Sequence, residues 1–154
     1  MSTIIAVSRP TEWNLPLFLH VLGAMILVGG LLTGACAIAY ARGDVRSLRV
    51  GYWTLLTVAL PGYIVMRIGA QWIYSKEGWD DLPDNMEPTW LAIGWFTADV
   101  GLLLLLAALI VGGVGTYRLR RGKGTGLLKA TMIISLALLA AYVVTVWAMA
   151  GKPD

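Results

Sequence analysis

Four apolar stretches dictate what this chain can fold into: roughly Leu15 to Tyr40, Tyr52 to Tyr74, Thr89 to Tyr117 and Leu127 to Ala150. Each meets or exceeds the ~20 residues that an α-helix, rising about 1.5 Å per residue, needs to cross the hydrocarbon of a bilayer. With 58% hydrophobic and only 14% charged residues, nothing is left over for a second, soluble domain. The sequence predicts an all-α fold, a four-helix transmembrane bundle, with residues 1–154 forming a single domain. Any chemistry must then take place within the bundle or at its two rims.

The connections between spans carry charge unevenly. Arg42, Arg46 and Arg49 lie in the first, and Arg118, Arg120, Arg121, Lys123 and Lys129 in the third. The other side holds Arg9, Lys76 and Lys152, together with Glu77, Asp80, Asp81, Asp84 and Glu87. Basic residues in short loops stay in the cytoplasm. The expected arrangement is N-out/C-out, in a bacterial inner (plasma) membrane, with the acidic second connection outside. The net charge of +3 resides mostly in loops abutting the spans, so its natural partner is membrane lipid with anionic headgroups, not nucleic acid. Trp13, Trp53, Trp72, Trp79, Trp90 and Trp147 fall near span ends, where amphipathic rings anchor helices at the headgroup level.

The lone cysteine, Cys36, excludes an internal disulfide and a CxxC redox pair. Around it, "LTGAC" departs from a lipoprotein cleavage site: no basic segment immediately precedes the apolar run, and threonine stands where leucine is expected. The first helix is therefore expected to be retained.

In lipid, helices associate where small residues let backbones approach. His20, Gly23, Leu27, Gly30 and Gly34 share one face of the first helix, and Gly94, Gly101, Ala108 and Gly115 one face of the third. On the fourth, Thr131, Ser135, Leu138, Tyr142, Thr145 and Met149 form an inward stripe, whose hydroxyls can bond to the backbone one turn back. Pro61 and Gly62 sit near the middle of the second span, where proline removes a donor and favours a bend.

Polar residues inside the spans are the candidates for function. Counting from the outer span ends, His20 lies ~9 Å deep, Arg67 ~10 Å and Asp99 ~15 Å, all in the outward half. Tyr63, Arg67, Gln71 and Tyr74 share a face of the second span. A charge at a helix centre costs about 2.5–3.5 kcal/mol on insertion scales, which demands a partner or water. Asp99, the single carboxylate within a span, is the simplest partner for Arg67. Its position two residues from Gly101 turns it nearly opposite the glycine stripe, so the third helix must be enclosed on two sides, as in a homo-oligomer, or leave one face to lipid.

Three readings of this cluster stand. Arg67 and Asp99 fix helix register, or Arg67 snorkels to the acidic loop. Alternatively His20, Tyr63, Arg67, Gln71, Asp99 and Tyr142 form an outward-half site that binds or passes a small ligand or ion, an anion better than a metal cation. The third is redox: His20 as a haem b ligand, with Met25, Met66, Met149 or a second copy's histidine completing the axial pair, or as a hydrogen-bond partner of a quinone. Copper would suit the methionines, Cys36 and His20, although Cys36 falls at the far end of its helix. A rival role is that of an accessory subunit docked through glycine faces onto a larger membrane complex. No HExxH, phosphate-cradling loop or metal-spaced Cys/His cluster is present, which argues against hydrolase or nucleotide-driven chemistry.

The stretch "FLHVLGAMILVGGLL" resembles the first span of bacterial integral-membrane proteins of unknown function, at His20, Gly23, Gly29 and Gly30, and more distantly that of copper resistance D-type membrane domains. The resemblance implies a small multi-pass protein, with copper or haem handling as an expectation. The further in-span histidines that such chemistry uses are absent from this chain.

Overall fold

The structure is a computed structural model that describes residues 14–81 and 88–151, apart from the side chain of Asp80. Trp13, Arg9, Asp84, Glu87 and Lys152 lie outside the described residues. Helix α1 runs Asn14–Tyr40, α2 Val45–Thr54, α3 Leu60–Lys76, α4 Thr89–Arg120 and α5 Gly126–Gly151. A π-helical turn, Leu55–Ala59, joins α2 to α3, so Val45–Lys76 is one continuous span; a 3₁₀ turn, Trp79–Asp81, follows it. All four spans are long and apolar enough to cross a membrane, and the described residues contain no strand.

The second span begins seven residues earlier than expected, which places Arg46 and Arg49 on a helix instead of in a loop. Asp44 is the reason. Its carboxylate accepts from the backbone N–H of Arg46 at 3.3 Å and of Ser47 at 2.8 Å, capping two donors that the first turn leaves unpaired. At the end of α4, Gly122 adopts φ +69°, and the N–H groups of Gly122 and Lys123 return to the carbonyls of Leu119 and Arg118, each at 3.1 Å. This closure needs a left-handed residue, which glycine supplies without a Cβ penalty.

Pro61 acts as its position predicts. It has no N–H to offer the carbonyl of Thr57, and just before it the chain winds into the π turn, with the Leu60 N–H donating to Leu55 O five residues back.

Around the bundle, α1 packs extensively on α3 and on α5, and α5 on α4. The ring is closed at the basic end, where α2 touches α4; beyond the π turn, α3 and α4 scarcely meet. Glycines explain the close pairs. A Cβ on Gly30 would stand 2.7 Å from the backbone nitrogen of Ala59, and one on Gly62 2.6 Å from that of Leu27. Gly23 and Gly69 likewise let α1 and α3 touch backbone to backbone, against Met66 and His20. The α4 stripe faces α5, where Gly94, Gly101, Ala108 and Gly115 are buried. The α5 stripe faces inward as expected, with Ser135 bonded to Thr131 O at 2.9 Å and Thr145 to Ala141 O at 3.0 Å. Leu27, Leu31, Leu55, Leu105 and Leu138 fill the centre with almost no exposed surface.

Candidate functional site

Because α3 and α4 separate past the π turn, a chamber of about 260 Å³ opens between the four spans in the half remote from the basic loops. Its walls are mainly apolar and aromatic: Tyr74 and Met66 from α3, Trp90 and Trp95 from α4, Met149 from α5. At its mouth Trp79 and Trp90 meet edge to face, with ring centroids 6.1 Å apart, and the Trp79 indole N–H donates to Glu77 at 2.6 Å. Toward the basic end the leucine-filled centre closes it.

Three of the expected residues line this chamber: His20, Arg67 and Tyr142. The His20 ring is held by a bond between Nδ1 and the Met66 carbonyl at 3.1 Å, which the absence of a side chain on Gly69 permits by letting α1 approach. A carbonyl only accepts, so Nδ1 is the donor in this bond. Tyr142 fits because Gly101 has no Cβ; one there would collide with the phenol oxygen. That oxygen is buried and has no hydrogen-bond partner among the described residues.

Arg67 carries three relationships. Nη2 donates to Asp99 Oδ1 at 2.8 Å, the guanidinium carbon lies 4.1 Å from the centre of the Trp95 ring, and Nη1 is buried without a partner among the described residues. The ion pair is the one expected from the sequence. It bridges the α3/α4 gap along with two other contacts: Tyr63 donates to Ala98 O at 3.0 Å, and Tyr74 meets Trp95 edge to face at 5.1 Å. The two sides of α4 thus serve two neighbours, glycines toward α5 and Asp99 toward α3, and the pairing requires no second copy.

Other expected residues stand elsewhere. Asp99 is 65% exposed on the outer surface of the bundle, against 30% for Arg67, and does not line the chamber. Tyr63 is buried and committed to Ala98. Gln71 faces outward, one turn beyond Arg67, and the six residues do not form one constellation. Of the methionines considered beside His20, Met66 and Met149 line the chamber, whereas Met25 is exposed on the far side of α1. No group of three His, Cys, Asp or Glu side chains with metal-ligating placement occurs among the described residues.

Sequence reasoning missed Trp95 and preferred interfacial anchors to a ligand cage for Trp79 and Trp90. A signal existed: Trp95 and Asp99 are four residues apart on one helix, so one guanidinium can lie over both. Searches of protein families, curated proteins and solved structures found no match to this chain.

Proposed function

We propose that this is a multi-pass protein of the bacterial inner membrane that binds, in the outward half of its bundle, a small and largely apolar molecule carrying an oxygen acceptor. One observation carries this reading: Arg67 and Tyr142 both line one aromatic-walled chamber, and Arg67 Nη1 and the Tyr142 hydroxyl are both buried and without a hydrogen-bond partner among the described residues. A buried polar group without a partner costs roughly 1–3 kcal/mol, and two around one cavity define a place that a carbonyl or carboxylate oxygen completes.

Size and charge narrow the class. At about 260 Å³ the chamber falls at the small end of ligand sites, which run from ~300 to 1,000 Å³, so a single compact ring system suits it better than a haem macrocycle. The Arg67 charge is already matched by Asp99 and spread over Trp95. A neutral acceptor such as a quinone carbonyl therefore fits better than the free anion that an isolated arginine would favour.

Binding is favoured over passage. Among the described residues, tightly buried leucines close the chamber toward the basic end. A ligand of this class partitions into the bilayer and can reach the chamber sideways, through the α3/α4 gap that side chains alone bridge.

Titration of the detergent-solubilised protein with menadione, a compact quinone with two carbonyl acceptors, tests the class. Saturable quenching of tryptophan fluorescence is expected, since Trp79, Trp90 and Trp95 surround the chamber. Linear, non-saturating quenching in the folded protein, unchanged by Tyr142→Phe, would contradict it.

A further inference from the structure

The chamber is not the molecule's only concavity. At the opposite, basic end an open groove of about 640 Å³ runs between α2 and the last turn of α4. Three guanidinium groups line it: Arg46 and Arg49 from α2, Arg120 from α4. None of them is in an ion pair among the described residues, and Arg49 Nε is buried without a partner. The carboxylate at the same rim, Asp44, forms no ion pair with them among the described residues, although its charge acts on Arg46. Asp44 is committed to its own helix, accepting from the Ser47 hydroxyl at 2.6 Å as well as from the two backbone N–H groups it caps.

The groove changes character with depth. From Asp44 to Thr57 the helix descends ~20 Å. The lower wall offers Val50 and the half-exposed face of Trp53, beside Thr54 and Thr57. Those two hydroxyls are already bonded to the carbonyls one turn back, at 2.9 and 2.8 Å, so they present methyl groups and not donors. A cationic mouth above an apolar trough matches an amphiphile that joins a phosphate to an acyl chain.

We propose that this groove is a specific site for one anionic phospholipid. Its phosphate sits among Arg46, Arg49 and Arg120, and one acyl chain lies along Val50 and Trp53. Arginine suits the task because its planar fork offers two parallel donors to phosphate oxygens. Three guanidiniums against one occupied carboxylate favour a net negative headgroup over a zwitterionic one. The proposal stands apart from the chamber and does not depend on what binds there.

Native mass spectrometry of the full chain, titrated with phosphatidylglycerol or phosphatidylcholine, tests it. One phosphatidylglycerol should be retained in preference to phosphatidylcholine. The Arg49→Gln/Arg120→Gln double variant should bind it about tenfold more weakly, the loss expected for a charge-assisted hydrogen bond. Arg121→Gln/Lys123→Gln removes the same net charge from the neighbouring loop without touching the groove and should bind as the wild type does. Circular dichroism and elution volume establish that each variant is folded; if the double variant is not, Arg49→Lys, which keeps the charge and loses the fork, takes its place and should weaken retention. Equal weakening by the loop variant, equal retention of phosphatidylcholine, or displacement of the lipid by millimolar inorganic phosphate would overturn the proposal, the last by marking a site for a free anion.

Discussion

Arg67 and Asp99, on different spans, meet at 2.8 Å across the gap where α3 and α4 part, and the same guanidinium lies over the Trp95 ring. An arginine deep in an apolar helix is thereby explained: its charge is matched by a carboxylate and spread over an aromatic face, while Nη1 is left without a partner among the described residues. The pair is half open to its surroundings, so its net worth is smaller than that of a buried bridge and larger than that of one in bulk water. Arg67→Met and Asp99→Asn should each lower unfolding stability in detergent. A double-mutant cycle should return a coupling of about 0.5–2 kcal/mol. Additive losses would mean that the two residues act independently.

Adjacent glycines in α1 should behave oppositely. No atom lies within 4 Å of a Cβ placed on Gly29, whereas one on Gly30 would press on the backbone of Ala59. Gly29→Ala should be neutral or stabilise by up to about 1 kcal/mol, because alanine loses less backbone freedom in a helix. Gly30→Ala should cost about 1–3 kcal/mol, as overpacking does, by forcing α1 from the π turn. Thermal unfolding of the two variants, side by side, checks the pairing of the first two spans.

Acid should release the cap of α2. Hydrogen bonding, first from the Ser47 hydroxyl and then from the Ser47 and Arg46 backbone N–H groups, holds the Asp44 carboxyl below its ordinary value. With the folded-state value lower than the unfolded one, the stability contributed by this carboxylate is complete above the unfolded value and is lost as pH falls through the folded one. The melting difference between wild type and Asp44→Ala should therefore be constant near neutrality and shrink in the acid range below the usual carboxylate pKa. A difference that persists unchanged to strongly acidic pH would show that the charged carboxylate is not what caps the helix.

Much of this architecture was legible in the sequence, and what was not shares a cause. Hydropathy located four spans, and glycine and hydroxyl stripes picked out the buried faces of α1, α4 and α5, because close backbone approach in lipid selects small residues. The rotational phase of α3 against α4 was hidden. Both sides of such a helix are apolar, so no amphipathic pattern distinguishes the neighbour from the bilayer. The outward placing of Gln71 and the part of Trp95 were hidden for that reason, although the Arg67 to Asp99 pairing could be inferred from charge balance alone. The early start of α2 left a readable mark in Asp44, an N-cap residue that hydropathy ignores. The chamber itself could not be read, since it arises from the divergence of two helices and from a phenol seated on Gly101, both tertiary facts.

Tyr142→Phe separates stability from binding. The hydroxyl lacks a partner among the described residues, so its removal should leave unfolding stability unchanged or raise it by about 1 kcal/mol. A clear loss of stability would mean that the hydroxyl serves the fold.

The account rests on the chamber being a ligand site, and what travels with the protein out of its own membrane tests that most directly. Native mass spectrometry of wild type and Tyr142→Phe, purified identically in a mild detergent, should show a small non-lipid molecule bound one to one to the wild type and largely missing from the variant. A bare chain in both, or the same adduct in both, would contradict it.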